Sequence, residues 1–404
     1  MEKPSAVIEI TSSAIKLVTG FVVDDKPAVI YTRSIPASEF VKNGEIIDYG
    51  GLTNAIASFK QISDPEARLR LSITDATIIF PAIGFEIFQS DKITNVVSTS
   101  SLVQHLDIQN AISLVQKETV SNGSDILDII PAAFLLEGNR QFIAPPIGEK
   151  SSSIAIRAYV HTLPRRLISD YTRVVESAGI HVKRSIVSSY AFTEAIKRET
   201  DIKPNYILVD MGEDITTFTL VGSHFPINSR YMFYGNITLR ERVATEFNID
   251  KLKAKELLDC YGFSTTKNDF YPNIVEVETE DGGHYGYTEK DLRNVISNFM
   301  EEYFKSFDVA LQTLLADYPD DVRKTLPLVF TGELSKLLGF DRFAKSRYSN
   351  YASIEFYSPK HIGLRDASLG AITGALYLSS GYRGSLSDQR AKVSQVSREN
   401  PNKK

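Results

Sequence analysis

Two stretches of this sequence follow the same plan, half a chain apart. Tyr206–Val221 reads YILVDMGEDITTFTLV, in which an apolar run ends in Asp210 and a short turn leads to a second β-branched run. Ala6–Val18 reads AVIEITSSAIKLV, with Glu9 in the corresponding place. Both patterns are typical of β-hairpins. Because Glu9 and Asp210 are 201 residues apart in a chain of 404, we predict a duplicated fold in which one acid-tipped hairpin begins each half.

The overall composition excludes several classes of function. The net charge of −5 gives no general attraction to nucleic acid. The single cysteine, Cys260, is unable to form an internal disulfide or a zinc cluster, which favours a reducing cytoplasm. The N-terminus has no hydrophobic signal region, and the longest apolar runs are well short of the ~20 residues that span a bilayer. We therefore predict a cytoplasmic protein that does not bind nucleic acid.

Hydrophobic periodicity predicts the other main elements. A strand is expected over Leu69–Phe80 and a helix over Leu239–Leu258. Asp291–Ala316 has apolar residues at spacings of three and four, which indicates a long amphipathic helix. Asp366–Tyr377 is rich in small residues and predicts a helix that packs closely on its neighbours.

Three segments have the residues that would surround a nucleotide. The hairpin tips at 10–13 and 211–217 offer backbone N–H groups and hydroxyls to phosphate oxygens, and Lys16 adds a positive charge beside the first tip. Gly332 follows an apolar strand and precedes a helix-like stretch, where a glycine lets the backbone approach a base or a phosphate. We therefore predict a nucleotide site between the two halves of the chain.

The acid near the end of each first strand predicts a metal site. Glu9 and Asp210 are placed to hold Mg²⁺ through water molecules, the usual way in which this ion is kept beside phosphates. Each signal is weak alone, because hairpins with Asp and Gly at the tip are mostly only turns. The prediction rests on their order along the chain: a hairpin near the start, a hairpin at the middle and a strand–glycine–helix segment near the end.

The same order is found in actin-like ATPases, and the chain resembles the FtsA family of actin-like bacterial cell-division proteins over about residues 5–380. The motifs that carry the resemblance are NGEIID at 43–48, ILDIIPAAFLLEGNRQFIAPPIG at 126–148, SAGI at 177–180, DMG at 210–212, VFTG at 329–332, YSP at 357–359 and GAITGAL at 370–376. The segment at 126–148 discriminates best, because sugar kinases and chaperones of this superfamily lack the subdomain that it marks.

The resemblance implies an α/β protein with a two-lobed actin-like fold, a duplicated ribonuclease-H-like unit, and an inserted subdomain of the FtsA type. The divisions that we expect are a first lobe from 1–84 and 162–204, the inserted subdomain at 85–161, a second-lobe core at 205–239, its outer subdomain at 240–325, the remaining core with a closing helix that returns to the first lobe at 326–382, and a disordered polar tail at 383–404.

The resemblance also implies partners. The tubulin-like division protein would bind through its C-terminal peptide at about 240–325, and the chain would associate with copies of itself into filaments through the inserted subdomain. Its place would be the division site or the inner face of the cell membrane. The tail Arg383–Lys404 is basic but has few apolar residues, so that any membrane contact through it would be weak or indirect.

By the same resemblance, a nucleotide would lie between the hairpin tips and the strand–glycine–helix segment, and the expected cofactors are ATP and Mg²⁺. The residues that we predict to bind them are Glu9, Ser12, Ser13, Lys16, Asp210, Gly212, Thr216, Thr217, Gly235, Glu256, Gly332 and Glu333, with Glu9 and Asp210 also holding the metal. No catalytic residue is predicted, since no side chain stands out as positioning an attacking water. Hydrolysis is not expected.

The departures from the family pattern concentrate on these same segments. The second phosphate loop of the family has glycines where this chain has Glu213 and Asp214, and an aspartate where it has Thr217. The adenosine loop of the family has two glycines, and here it reads Gly332-Glu333. Two like charges ~4 Å apart cost up to ~4 kcal/mol at an effective dielectric constant of ~20, so that the acids weaken a triphosphate site. The sequence leaves ATP binding open.

Two other functions are compatible with the sequence. One is a nucleotide-independent actin-like scaffold of a membrane or pilus-type machine that binds a partner peptide, which the altered phosphate loops favour. Relatives of that type also carry an inserted subdomain, so that the segment at 126–148 does not separate the two. The other is a small-molecule kinase on the same fold, which would need an acidic base that the sequence does not reveal.

Overall fold

The computed structural model of the chain describes residues 4–64, 69–262, 272–278 and 282–381. Within these ranges no helix is long and apolar enough to cross a membrane. The polar tail predicted at 383–404 lies outside the described residues.

The strands and helices are numbered in chain order. The strands are β1 (Ser5–Ile10), β2 (Ala14–Val23), β3 (Lys26–Pro36), β4 (Val41–Lys42), β5 (Glu45–Ile46), β6 (Gln61–Asp64), β7 (Leu69–Ser72), β8 (Asp75–Phe80), β9 (Glu86–Asn95), β10 (Ser124–Leu136), β11 (Arg140–Phe142), β12 (Ser153–Pro164), β13 (His181–Val187), β14 (Tyr206–Met211), β15 (Thr216–Gly222), β16 (Phe225–Met232), β17 (Asn273–Glu278), β18 (His284–Thr288), β19 (Leu328–Thr331) and β20 (Ile354–Phe356). The α-helices are α1 (Tyr49–Ala57), α2 (His105–Val115), α3 (Arg165–Ser177), α4 (Ser188–Glu199), α5 (Asn236–Glu246), α6 (Lys251–Tyr261), α7 (Glu289–Leu314), α8 (Phe340–Arg347) and α9 (Gly370–Gly381). Short 3₁₀ turns cover Asp320–Thr325, Leu334–Lys336 and Ala367–Leu369.

Two five-stranded sheets have the same topology. The strand order of the first is β3-β2-β1-β8-β13, and that of the second is β16-β15-β14-β19-β20. In each sheet a three-stranded antiparallel meander is followed by two strands that run parallel to its first strand. The duplication that the two hairpins predict is therefore present in the strand order, with β1–β2 and β14–β15 in equivalent places.

The first strand of each meander lies in the middle of its sheet and is almost wholly apolar. Ile8 in β1 and Leu208 in β14 have no exposed surface. Strands that are covered on both faces read as continuous apolar runs rather than as alternating ones, which explains why these two segments stand out in the sequence. Glu9 and Asp210 come near the carboxyl ends of the same strands, where polar side chains can reach the space between the sheets.

Helices α4 and α9 lie between the two sheets. Helix α4 contacts strands of both sheets, while α9 packs on the first sheet and along α4. Small residues make this contact, since a Cβ on Gly374 of α9 would lie 1.7 Å from the carbonyl oxygen of Ala191 in α4. The close packing predicted for the small-residue helix is therefore found, and it joins the first sheet to the second.

A third sheet, with strand order β11-β10-β12-β9, is antiparallel throughout. Helix α2 packs on it and helps to enclose a separate apolar core that includes Ile112, Ile129 and Ile156. The ring of Tyr159 stacks on Phe225 of β16, with the ring centroids 5.2 Å apart, so that this sheet also contacts the second one. It begins and ends close to residues 85 and 161, the boundaries proposed for the inserted subdomain.

Two predicted elements are divided in the structure. The helix predicted over Leu239–Leu258 is wrong as a single helix, because Asn248 adopts a positive φ of 50° after α5 and the Asp250 side chain caps the start of α6. The strand predicted over 69–80 is two strands, β7 and β8, that belong to different sheets. The long amphipathic helix is confirmed as α7, whose first turn is fixed by a capping box between Thr288 and Asp291.

The contact between α4 and α9 gives a test of the fold. We expect Gly374→Ala to lower the free energy of unfolding by about 2–3 kcal/mol, because the added methyl group forces two helix backbones apart. Chemical denaturation of the purified protein measures this change. Gly50→Ala is the matched control, since a Cβ at that helical position has its nearest neighbour at 3.5 Å. Equal stabilities of the two variants would contradict the close packing.

Candidate nucleotide cleft

The tips of the two hairpins face each other and line a single cleft between the sheets. Its walls are formed by Glu9, Ile10, Thr11, Ser12, Gly44, Ile79, Pro81, Ala82, Tyr171, Ser188, Asp210, Gly212, Glu213, Asp214, Ile215 and Thr217. The structure thus brings together Glu9, Ser12, Asp210, Gly212 and Thr217 from the predicted set. The cavity in this cleft is small, about 80 Å³. It has room for a few water molecules or one compact anion, whereas sites for drug-sized ligands usually measure roughly 300–1,000 Å³.

Glu9 and Asp210 form the floor of the cleft. Glu9 lies opposite Lys16 in the β1–β2 ladder, and the Lys16 Nζ is 3.2 Å from the Glu9 carboxylate. The same ammonium group donates a hydrogen bond of 2.9 Å to the carbonyl oxygen of Ser368. Burial and the negative charge of Glu9 raise the pKa of Asp210 to about 7, and Lys16 opposes this shift only in part. Near neutral pH the floor therefore holds one ion pair and one carboxyl group that is partly protonated.

Asp214, at the second hairpin tip, crosses the cleft. The hydroxyl of Ser12 donates a hydrogen bond to its carboxylate, and the backbone N–H groups of Asn43 and Gly44 also donate to it. Burial raises the pKa of Asp214, and these hydrogen bonds oppose the rise. Asn43 and Gly44 have φ angles of 49° and 72° and form the turn between β4 and β5. The Tyr171 hydroxyl donates to the Gly44 carbonyl oxygen at 3.0 Å and so fixes the orientation of this turn.

Glu213, the other acid of this tip, points to a different partner. Its carboxylate is 3.0 Å from the guanidinium of Arg240 in α5, and both side chains are largely buried. Burial raises the pKa of Glu213, while the positive charges of Arg240, Lys16 and Lys255 lower it. Gly235 lies directly under this tip, because a Cβ there would be 2.5 Å from the Glu213 carbonyl oxygen. The helix α5 is thereby held against the second hairpin.

The strand–glycine–helix segment also meets the second hairpin. Gly332 has a φ of 88°, and a Cβ on it would lie 2.5 Å from the Asp210 Oδ1. A side chain at this position would therefore close the floor of the cleft. Glu333 pairs with Lys336 and raises the pKa of Glu213 through its negative charge.

Three predicted residues are not brought to the cleft. The Thr216 hydroxyl is buried on the opposite face of β15, where it donates to the carbonyl oxygen of Tyr234 at 2.8 Å and lies 2.7 Å from the Tyr303 hydroxyl. The Ser13 hydroxyl is 3.2 Å from that of Thr11, within its own turn. Glu256 is exposed on α6 and pairs with Lys253 at 3.0 Å.

Sequence reasoning missed the groups that hold the acids in place. Arg240 and Lys255 were not proposed, although both lie on helices that follow the second hairpin. The turn at Asn43-Gly44 carried a signal, because an Asn-Gly pair between short extended segments is typical of a tight hairpin. Nothing in the local sequence pairs it with Asp214, which is 170 residues further along the chain.

A nucleoside triphosphate with Mg²⁺ does not fit this conformation of the cleft. The anion donors at the first tip and in the β4–β5 turn are already taken by the Asp214 carboxylate, and Glu213 adds a second negative charge beside it. The position beside Glu9 where a metal ion would bind is occupied by the ammonium group of Lys16. Among the described residues, no group of three or more His, Cys, Asp or Glu side chains is arranged to hold a metal.

Comparisons with known proteins show what this chain is similar to. No protein-family model matches the chain. It is 21% identical to the cell division protein FtsA of Streptococcus pneumoniae over 83% of this chain and 71% of that protein, and 22% identical to FtsA of Bacillus subtilis over 89% and 79%. For FtsA of Buchnera aphidicola the identity is 23% over 93% of this chain and 90% of that protein. The chain is thus similar to FtsA cell division proteins over most of its length.

Solved structures show the same fold. The PilM–PilN type IV pilus biogenesis complex matches with a TM-score of 0.60 at 15% identity, covering 94% of this chain and 99% of that one. MreB5 of Spiroplasma citri bound to ADP matches with a TM-score of 0.52 at 10% identity, covering 98% and 99%. The predicted two-lobed actin-like fold is therefore confirmed for this FtsA-like chain.

The protonation of Asp210 gives a test of the cleft floor. Its pKa of about 7 in the folded protein is above the value of ~3.9 expected in the unfolded chain. The folded state therefore keeps a proton that the unfolded state has lost, and the stability of the wild type falls as the pH rises through this range. The neutral side chain of Asp210→Asn does not lose a proton in this range. In a buffer with chelator, we therefore expect the free energy of unfolding of Asp210→Asn, relative to that of the wild type, to increase by about 1–3 kcal/mol between pH 5 and pH 8.

Denaturation curves at several pH values measure this gain. Asp201→Asn makes the same change of charge at an exposed position and serves as the control, so that its curve should run parallel to that of the wild type. A parallel curve for Asp210→Asn as well would show that the carboxyl group is fully ionised in the folded protein at pH 5.

Proposed function

We propose that this FtsA-like chain is a cell-division adaptor that binds the tubulin-like division protein and associates with copies of itself. The observation that carries the proposal is the extent of the similarity to FtsA cell division proteins, which reaches 93% of this chain and 90% of one relative. A match of that length includes both lobes and the sheet proposed as the inserted subdomain. The proposed location is the cytoplasmic side of the membrane at the division site.

The proposed partner surface lies at 240–325, on helices α5, α6 and α7 and the hairpin β17–β18. Leu252 on α6 is 77% exposed and is the most exposed large apolar side chain described within this range. Lys251, Lys253 and Lys255 lie on the same helix. An exposed leucine among lysines suits a peptide that carries an apolar anchor and acidic residues, since the apolar contact and the opposite charges would both favour binding.

This surface gives a test of the proposal. We expect Leu252→Ser to weaken binding of the C-terminal peptide of the tubulin-like protein from the same genome by at least about tenfold, because burying a leucine contributes about 1.5–3 kcal/mol. Fluorescence anisotropy with a labelled peptide measures the affinity. Ile362→Ser changes a residue that is 82% exposed outside 240–325 and is the matched control. Equal affinities for both variants and the wild type would remove α6 from the partner surface.

Self-association is proposed to involve the third sheet and its loops. Ile143, just after β11, is 85% exposed, and Ile93 on β9 is 66% exposed. These residues lie at the two opposite edges of the sheet, and an exposed apolar sheet edge favours association with another chain.

We expect Ile143→Glu to lower the sedimented fraction of the protein at least severalfold at high concentration, because a buried charge opposes assembly. Analytical ultracentrifugation over a concentration series measures it, with Ile362→Glu as the control. A wild type that stays monomeric at all concentrations would contradict self-association through any surface.

The second candidate is a scaffold of a pilus-type machine that binds a partner peptide without using nucleotide. The specific observation in its favour is the cleft, whose anion donors are satisfied by the chain itself. The anisotropy experiment separates the candidates when a second peptide, from a membrane protein of a pilus machine in the same genome, is titrated in parallel. ATP and Mg²⁺ enter the first proposal only for a conformation in which Asp214 has left its donors.

A further inference from the structure

The carboxylate of Asp214 is surrounded as a bound anion would be. One hydroxyl donor comes from Ser12 at the first hairpin tip, and two backbone donors come from Asn43 and Gly44. Successive backbone N–H groups in a turn of this kind form a concave site that suits an anion. Asp214 itself comes from the second tip, so that, apart from its own backbone N–H, the carboxylate is held by donors from the other half of the chain.

The cleft keeps one further polar group that Asp214 does not use. Thr217 lines the cavity and is only 5% exposed, and its buried hydroxyl has no hydrogen-bond partner. An unpaired buried hydroxyl costs free energy, and such groups are rare. Its position beside the cavity indicates that the site has the polar capacity for an anion larger than a carboxylate.

We propose that the Asp214 carboxylate is an internal occupant of a phosphate-binding site and keeps the two hairpin tips together without a ligand. The proposal uses the nucleotide cleft described above and is independent of the division partner. An external phosphate group competes with Asp214 for the same donors and meets its negative charge. The wild-type cleft therefore binds phosphate compounds weakly, and removal of the carboxylate both loosens the tips and vacates the site.

Calorimetry with pyrophosphate tests the binding half of this proposal. We expect Asp214→Gly to bind pyrophosphate at least tenfold more tightly than the wild type does, because the donors become free and a like charge is removed. Asp214→Asn retains the shape without the charge and should gain less. Asp201→Asn makes the same change of net charge at an exposed site and should bind as the wild type does. An affinity of the wild type equal to that of Asp214→Gly overturns the proposal.

A parallel titration with ATP distinguishes the source of the phosphate group. Similar gains in affinity for ATP and for pyrophosphate in Asp214→Gly support a site for phosphate groups in general. A larger gain for ATP supports a site that also holds the nucleoside. No gain for either ligand in Asp214→Gly and Asp214→Asn overturns the proposal.

Hydrogen exchange tests the bridging half. We expect the amides at 41–46 to exchange at least tenfold faster in Asp214→Gly than in the wild type, and saturating pyrophosphate should restore their protection. Ser12→Ala should speed the same exchange without any gain in pyrophosphate affinity, since the carboxylate remains in place. Unchanged exchange in both variants would contradict the proposal that Asp214 keeps the two hairpin tips together. Normal binding of the division peptide in the same variants would leave the proposed function intact.

Discussion

The rest of the structure depends on how four carboxyl groups are accommodated where the two hairpin tips meet. Burial disfavours the charged form of each acid, so that each needs a positive charge, a set of donors or a proton. Glu9 has Lys16, Glu213 has Arg240, and Asp214 has hydrogen-bond donors from Ser12, Asn43 and Gly44 besides its own backbone N–H. Asp210 shares only Lys16 with Glu9, and its pKa accordingly rises to about 7. Each acid of the cleft is therefore stabilised by a cation, by hydrogen-bond donors or by a proton, without any external ligand.

This balance also joins distant segments. Lys16 reaches from the first hairpin to the carbonyl oxygen of Ser368 just before α9, and Arg240 fixes α5 to the second hairpin. Helix α9 in turn packs against α4 through Gly374. The cleft and the helical contact between the sheets are thus connected in space through Lys16, Ser368 and α9.

Much of the fold could be predicted from the sequence because it depends on local patterns of apolar and polar residues. The continuous apolar runs before Glu9 and Asp210 indicated buried strands, and their repetition indicated the duplication. The direction of a side chain was harder to predict. Thr216 and Thr217 were both proposed for the site, yet neighbours in a strand point to opposite faces. The structure places Thr217 in the cleft and buries the Thr216 hydroxyl against Tyr303.

The contact between Ser12 and Asp214 was beyond local reasoning, because it joins residues 202 positions apart and depends on how the sheets meet. It also changes the meaning of the altered phosphate loop. A diffusible ligand shifts a conformational equilibrium according to its concentration and its differential affinity. A carboxylate that belongs to the chain acts at a fixed effective concentration. On the proposed role of Asp214, closure of the cleft becomes independent of the nucleotide supply, and assembly of this FtsA-like chain would follow the concentrations of its protein partners.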